Sequence, residues 1–526
     1  MKHLLALALL LPMFSAAAEQ PNILFIFSDD HAQQAISAYG SKVNTTPQLD
    51  RLAKEGVRFA NSFVSNSICT PSRATLMTGE YSHINGVPVF NPFDGARDNV
   101  VKRLQAGGYH TGLIGKWHLG SDPTGFDRWV VLPSQGDYWN PTFLVPGRKL
   151  NIPGHCTDIT TDLGLEWLRT RPQDKPFFLM LHHKAPHRNW APTTRHIKRF
   201  KDKVIPEPDT LWDTYATRPA ALPENEQTIA HDLTRRDLKL TPPADLEGPE
   251  LQSWLSFSPE ELEVDGRKLI GRELVQWKYQ KYMRDYLACV QGVDESVGRV
   301  LDYLDQTGLA KNTIVIYSSD NGWYLGDLGL YDKRFSYEPG LRTPLIARGP
   351  GIKADHVPAQ FAGNIDLAPT FLGLAGLPVP DSMQGRSLAP LLRGESPADW
   401  RTTFYFRYYH SPGDHRTAAH LGVRTATHKL IYYWQKDAYE MFDLTQDLTE
   451  QHNLLFESAE AKKPEIAAKF AELKSEILRL QKEYKDDGQY TDVSTCPDGS
   501  VDGPIDQYRS IGTKTAAEAI AASAIK

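Results

Sequence analysis

The sequence predicts an α/β fold: a large mixed, mostly parallel sheet flanked by helices, followed by a smaller C-terminal subdomain of antiparallel sheet plus helix. Three observations carry this expectation. Apolar runs of strand length recur along the first two thirds of the chain and are continuous rather than alternating, as in strands buried on both faces. Segments of helical period lie between them, the pattern of parallel strands joined by crossover helices. Beyond Thr403 the pattern changes to short alternating runs rich in aromatics, then one amphipathic helix.

Taken in order, residues 1–18 read as a secretory signal. Lys2 and His3 form a basic start, 4–14 is an apolar run too short to span a bilayer, and Ala16, Ala17 and Ala18 offer a cleavage site after Ala18. The mature protein is therefore expected to be periplasmic or secreted, with no membrane span and no lipid-bearing cysteine at the cut. Residues 22–28, Asn-Ile-Leu-Phe-Ile-Phe-Ser, predict a buried strand that ends in Asp29-Asp30. Further strands are predicted over 177–181, 313–317 (followed by Ser-Ser-Asp-Asn-Gly) and 344–347, with helices over 46–55, 99–106, 160–169 and 277–306. Residues 190–265, rich in Pro, Glu, Asp and Trp, read as an insertion over the rim of a site. Gly and Pro punctuation at 377–400 marks a boundary near 390. The second unit, 391–487, holds the runs Phe404-Tyr-Phe-Arg-Tyr-Tyr and Lys429-Leu-Ile-Tyr-Tyr-Trp, then a helix over 464–484 with Ile466, Phe470, Leu473, Ile477 and Leu480 on one face. A polar, Ala-rich extension, 488–526, closes the chain.

The 526 residues are 41% hydrophobic, enough for a large core and a small second one. A formal net charge of −6 leaves no basic field for nucleic acid. Of the four cysteines, Cys156 and Cys289 read as buried thiols, Cys496 lies in a polar loop, and Cys69 stands apart.

In open parallel sheets, ligands bind beyond the carboxyl ends of strands, and the polar clusters fall there. Asp29 and Asp30 end one strand; Asp320 and Asn321 end another. Four hard oxygen donors suit Ca²⁺ or Mg²⁺ rather than zinc. Either pair alone reads equally as a helix cap or a turn. The run Cys69-Thr-Pro-Ser-Arg73-Ala-Thr-Leu-Met-Thr-Gly79 changes that balance. It resembles the maturation signature of the type I sulfatases. Gly107-Gly-Tyr-His-Thr-Gly-Leu-Ile-Gly-Lys116-Trp-His118 resembles the second signature of the same family, and the paired acids match its metal-binding positions.

The resemblance covers 22–455 and implies an alkaline-phosphatase-like fold, with 19–390 as the catalytic domain. It implies that a maturation enzyme oxidises Cys69 to Cα-formylglycine, whose hydrate attacks sulfur and later expels sulfate by re-forming its carbonyl. By the same resemblance Asp29, Asp30, Asp320, Asn321 and residue 69 hold Ca²⁺, with Mg²⁺ as the alternative. Arg73 and Lys116 steady the diol, His118 takes its proton, and His187 and Lys333 bind sulfate and protonate the leaving alcohol. The stretches Ser67-Ile-Cys-Thr-Pro-Ser-Arg, His183-Lys-Ala-Pro-His-Arg-Asn-Trp and Asp332-Lys-Arg-Phe are closest to the polysaccharide-directed branch, which holds bacterial N-acetylglucosamine-6-sulfatases and mucin- or heparan-desulfating enzymes. That makes a sulfated oligo- or polysaccharide the expected partner, cut at a terminal sugar, with Asp332, His420 and Arg424 as candidates to hold the sugar; they read equally as ordinary loop and sheet residues. One departure stands out: Gly326-Asp-Leu-Gly, where the family often has Gly-Asp-His-Gly. Two other readings stay open, a phosphate mono- or diester hydrolase of the same superfamily and an inactive protein that binds sulfated glycans.

Overall fold

The computed structural model of the chain describes residues 20–456, 461–491, 509–512 and 515–525. The expected signal segment, Cys496 and part of the polar extension lie outside the described residues. The large sheet comprises β1 (Asn22–Ser28), β2 (Val57–Arg58), β3 (His110–Lys116), β4 (Arg128–Leu132), β5 (Thr142–Val145), β6 (Arg148–Asn151), β7 (Phe177–His182), β8 (Thr313–Ser319), β9 (Leu345–Arg348) and the segment Arg509–Gly512. Across the sheet the order is β2-β9-β8-β1-β7-β3-β4-β5-β6, with Arg509–Gly512 outermost. Strands β8, β1, β7, β3 and β4 run parallel in the centre. The flanking pairs β9 and β2, and β5 and β6, are antiparallel.

Strand β1 explains why its run is apolar throughout. All seven residues are buried, and alternate side chains enter different cores. Leu24 and Ile26 meet helices α1 (Pro47–Lys54), α3 (Cys156–Thr170) and α4 (Gly271–Gln306) through Leu52, Trp167 and Tyr286. Ile23, Phe25 and Phe27 meet helices α2 (Cys69–Thr78) and α5 (Leu367–Leu374) through Met77 and Phe371. Each such side chain contributes roughly 2–3 kcal/mol of burial.

The second unit is an antiparallel sheet in sequence order, β10 (Thr403–Tyr408), β11 (His420–Thr425), β12 (His428–Tyr433) and β13 (Ala438–Asp443). One face, Val423, Leu430 and Met441, receives Leu473, Ile477 and Leu480 of helix α6 (Pro464–Tyr484). The other, Phe404, Phe406 and Phe442, packs on Tyr324, Phe335 and Tyr337 of the large domain.

Three expectations needed correction. Helix α4 begins at Gly271, six residues before the predicted start. Helix α3 begins at Cys156, four residues before the predicted start, because its first turn is a polar Thr-Asp run that hides the apolar period. The insertion is more than a rim, since Ile205, Leu211, Ile229, Leu233 and Leu238 belong to the same core as Leu24. Its helix Gly248–Ser256 has no buried residue. Among the described residues no helix is long and apolar enough to cross a membrane.

Candidate active site

The central parallel strands release their chains on one side of the sheet, and the chemistry collects there. Beyond β1 come Asp29 and Asp30; beyond β8, Asp320 and Asn321; at the end of β3, Lys116; beyond β7, His187. Helix α2 begins at Cys69 itself, so the sulfur sits at the positive end of the helix dipole and Arg73 falls one turn on. All ten residues of α2 are buried, Cys69 at 2% exposure.

The Cys69 thiol donates to Asp29 Oδ1 at 3.4 Å, and Asn321 Nδ2 lies 3.8 Å from the sulfur. Arg73 grips Asp320 Oδ2 through Nε and Nη2, at 3.1 and 2.9 Å, and donates to the Lys116 carbonyl at 2.9 Å. Lys116 pairs with Asp29 and donates to Gln135 Oε1 at 2.6 Å. Lys333 Nζ straddles the Asp30 carboxylate at 2.7 and 2.6 Å. His187 Nε2 lies 3.6 Å from Asp30 Oδ2, and His118 Nδ1 lies 3.3 Å from Thr70 Oγ1. Lys116 is the last strand residue, and His118 follows two residues on. It sits past the strand end with φ 57°. Asp30, Asp332 and Arg334 also have positive φ, at 63°, 72° and 91°. Non-glycine residues held so are strained, and such strain clusters at functional sites.

Electrostatics sort the carboxylates. Burial opposes ionisation of Asp29, but Lys116, His187 and Arg73 outweigh it and hold the group well below the usual range. Burial pushes Asp30 well up despite Lys333, with Asp29 and Asp320 adding repulsion. Asp320 is raised by burial and by Asp29 against Arg73. Burial, then Lys116, pushes His187 and His118 well below the ordinary imidazole value. Burial raises the Cys69 thiol, with Asp29 adding to it.

Three fully buried carboxylates this close call for positive charge beyond the lysines. Asn321 Oδ1 is buried without a partner. Ligand atoms of Asp29, Asp30, Cys69 and His187 lie within 4.8 Å of one another. An all-oxygen set of three carboxylates and an orphaned amide oxygen fits a hard divalent cation.

The cluster opens into a pocket of about 360 Å³ lined by Cys69, Gln135, His187, Arg188, Trp323 and Lys333. Asp332, Arg334, Asp414 and His415 close one wall. His415 Nε2 lies 2.9 Å from Asp332 Oδ2 and its Nδ1 pairs with Asp232, so a loop of the second unit is tied to the insertion and to the large domain. Burial opposes charging of His415, but Asp232 and Asp332 outweigh it and raise its pKa.

Asp332 thus stands at the pocket, while His420 and Arg424 do not. His420 Nε2 lies 2.9 Å from Ser336 Oγ, its Nδ1 lies 2.9 Å from the Ala418 carbonyl, and its ring stacks on Phe335 and Tyr408. Arg424 binds Glu338 and the Thr425 carbonyl over Phe63. Both residues join the second unit to the large domain, which corrects their expected place at the sugar. Sequence reasoning passed over Gln135, Arg188, Arg334 and His415. Arg188 and Arg334 each follow a motif residue and could have been flagged by adjacency; Gln135 and His415 sit in turns without a pattern. Cys156 and Cys289 are buried free thiols, pushed up by burial to about 11 and about 12.

Comparisons with known proteins agree with this geometry. Residues 21–377 match the family model described as Sulfatase, and 326–483 match the model described as N-sulphoglucosamine sulphohydrolase, C-terminal. A Bacteroides thetaiotaomicron protein named N-acetylglucosamine-6-O-sulfatase is 43% identical over 493 residues, covering 89% of this chain and 87% of that protein. Human N-acetylglucosamine-6-sulfatase is 27% identical over 77% of this chain and 70% of its own length. A structure described as in complex with its substrate D-glucosamine-2-N,6-O-disulfate superposes with TM-score 0.84 at 40% identity, covering 90% of this chain and all of that one. A phosphonate monoester hydrolase of Agrobacterium radiobacter shares the fold, with TM-score 0.66 at 21% identity over 88% of this chain and 96% of that one. The protein is a sulfuric ester hydrolase of the alkaline-phosphatase-like fold, and the chain belongs to the sulfatase family.

Proposed function

We propose that this enzyme removes the 6-O-sulfate from a terminal glucosamine unit, N-acetylated or N-sulfated, of a glycosaminoglycan-type chain. The observation that carries the reading is Cys69 at the start of α2, ringed by Asp29, Asn321, Lys116 and Lys333 and open to one pocket. The names of the 43% identical relative and of the superposing complex support the sugar. A pocket closed on one side by a loop of the second unit tied to the insertion suits a chain end better than a chain interior.

Oxidation of Cys69 to formylglycine by a maturation enzyme would supply an oxygen nucleophile that can release its own sulfate. A divalent cation, Ca²⁺ or Mg²⁺, held by Asp29, Asp30, Asp320 and Asn321 would supply charge to the sulfate oxygens. This chain's own residues do the rest. Arg73 fixes Asp320 by donating twice to its Oδ2, one helix turn from residue 69. Lys116 and Lys333 bring two ammonium groups to the tetrahedral anion. His118, whose Nδ1 lies 3.3 Å from Thr70 Oγ1, would accept a proton from the side chain at 69. An anion bound beside Lys116 would offset its charge, so that His187 gains a proton more readily and can donate it to the leaving alcohol. Asp332 stands where it can meet a sugar hydroxyl. The basic start and apolar run of residues 2–14 support export to the periplasm or beyond.

The test is sulfate release from glucosamines sulfated singly at O6 or at O3, beside an aryl phosphate, with the mass of the peptide around residue 69 measured on the same preparation. Turnover is expected at O6 only, in proportion to the aldehyde content, and Cys69→Ala is expected to be inactive. An active Cys69→Ala, or phosphate turnover equal to sulfate, would overturn the reading.

A further inference from the structure

Four parallel strands of the sheet deliver an active-site residue from their carboxyl ends, and the fifth, β4, does so too. The chain leaves β4 at Leu132 and turns through Pro133-Ser-Gln-Gly136, closed by the Gly136 N–H donating to the Pro133 carbonyl at 2.8 Å. Gly136 has φ 63°, a conformation that favours glycine. The turn places Gln135 on the pocket wall beside Cys69 and His187. An ammonium can only donate, so the Gln135 atom 2.6 Å from Lys116 Nζ is its carbonyl oxygen. The amide nitrogen is left over and has no hydrogen-bond partner among the described residues, although the side chain lines the cavity.

The turn is clamped from below. Lys184, 4% exposed, donates to the Gln135 carbonyl at 2.9 Å and lies 4.9 Å from the centre of the Tyr138 ring. Tyr138 in turn donates to the His187 carbonyl at 2.7 Å. Lys184 has no carboxylate partner among the described residues. Asp29 and Asp137 favour its charge without forming an ion pair with it, and such a buried cation is costly to hold. Here it pins the backbone that aims the amide.

We propose that Gln135 contacts the sulfate group of the substrate, donating from Nε2 to a sulfate oxygen while its carbonyl orients Lys116, and that Lys184 is the positioning residue that holds Gln135 there. A primary amide does this without adding charge beside Asp29. A carboxylate in its place would still accept from Lys116 but would repel the anion.

The proposal rests on the Cys69-centred reading of the site, so wild-type turnover and inhibition by inorganic sulfate are measured alongside the variants. Gln135→Ala is expected to lower kcat/KM by about 100-fold, as loss of one preorganised donor does, and to weaken inhibition by inorganic sulfate. Gln135→Glu is expected to be worse on both counts. Lys184→Met is expected to cost about tenfold alone and nothing further on a Gln135→Ala background, since it acts only through that amide. Thermal melts check folding, and if the Lys184 variant does not fold, the Gln135 pair decides. Gln135→Ala within twofold of wild type, unchanged sulfate inhibition in both Gln135 variants, or full additivity with Lys184→Met would overturn the proposal. A wild-type enzyme that neither turns over sulfate esters nor is inhibited by sulfate would instead sink the reading of the site.

Discussion

Asp320 does two jobs with one carboxylate. Its Oδ1 accepts from the Asp30 backbone N–H at 3.0 Å, while Oδ2 holds Arg73, which is 2% exposed. Removing it strands a buried guanidinium, and breaking one side of a buried pair costs about 3–5 kcal/mol. Asp320→Ala is therefore expected to lose that much in urea unfolding and, on the proposed cation site, to weaken divalent-cation binding in calorimetry, whereas Asp320→Asn keeps part of the stability. Asp320 and Arg73 were legible through the resemblance of the run from Cys69 to Gly79 to the sulfatase signature, since either acid pair alone read equally as a cap or a turn. His415 was not legible, since its neighbours Asp232 and Asp332 lie far from it in the chain and only folding brings the three together. His420 and Arg424 misled for the converse reason: polar residues on a strand look available until the face they occupy is known.

Strand β3 couples sheet geometry to the site. Gly115 has φ 104°, and a Cβ there would fall 1.9 Å from the His182 carbonyl oxygen of β7. Gly115→Ala must separate two paired strands or twist the backbone next to Lys116. A loss of at least about 3 kcal/mol is expected, with activity falling further than stability. Gly86, with φ 82° and nothing near its Cβ position, is the control, and its alanine variant is expected to cost only about 1 kcal/mol. Equal losses in the two would show that contact with β7 is not what matters. Strands β1, β7 and β8 were legible because burial on both faces leaves a continuous apolar run, whereas β4, Arg128–Leu132, was not among the predicted strands. The insertion was harder, because Ile205, Leu211, Ile229, Leu233 and Leu238 reach the core singly from irregular chain and carry no period.

At the scale of the whole molecule, two buried neutral histidines set an acid limit. Burial holds His183 and His420 down to about 4, and both are fully enclosed. Unfolding returns each to about 6.5. Between those values the unfolded chain binds more protons, so stability rises with pH there. The contribution is complete above about pH 6.5 and is lost as pH falls towards 4, on the order of 3 kcal/mol for each ring. His420→Gln is expected to flatten the melting temperature across pH 4–6.5, and the gap to wild type should widen as pH rises. A gap that stays constant would mean that His420 is protonated in the folded state.

The pairing of β1 with β7 and β8 reaches further than stability. Ile23 lies against Phe178 on one side and Ile314 on the other. A strand made near the start of synthesis must wait for partners that leave the ribosome roughly 150 and 290 residues later. Until then Cys69 has neither Asn321 nor Lys333 beside it. The sulfur enclosed in the finished enzyme thus lacks its completed surroundings while the roughly 260 residues from Cys69 to Lys333 are made, an interval in which its side chain is open to chemistry.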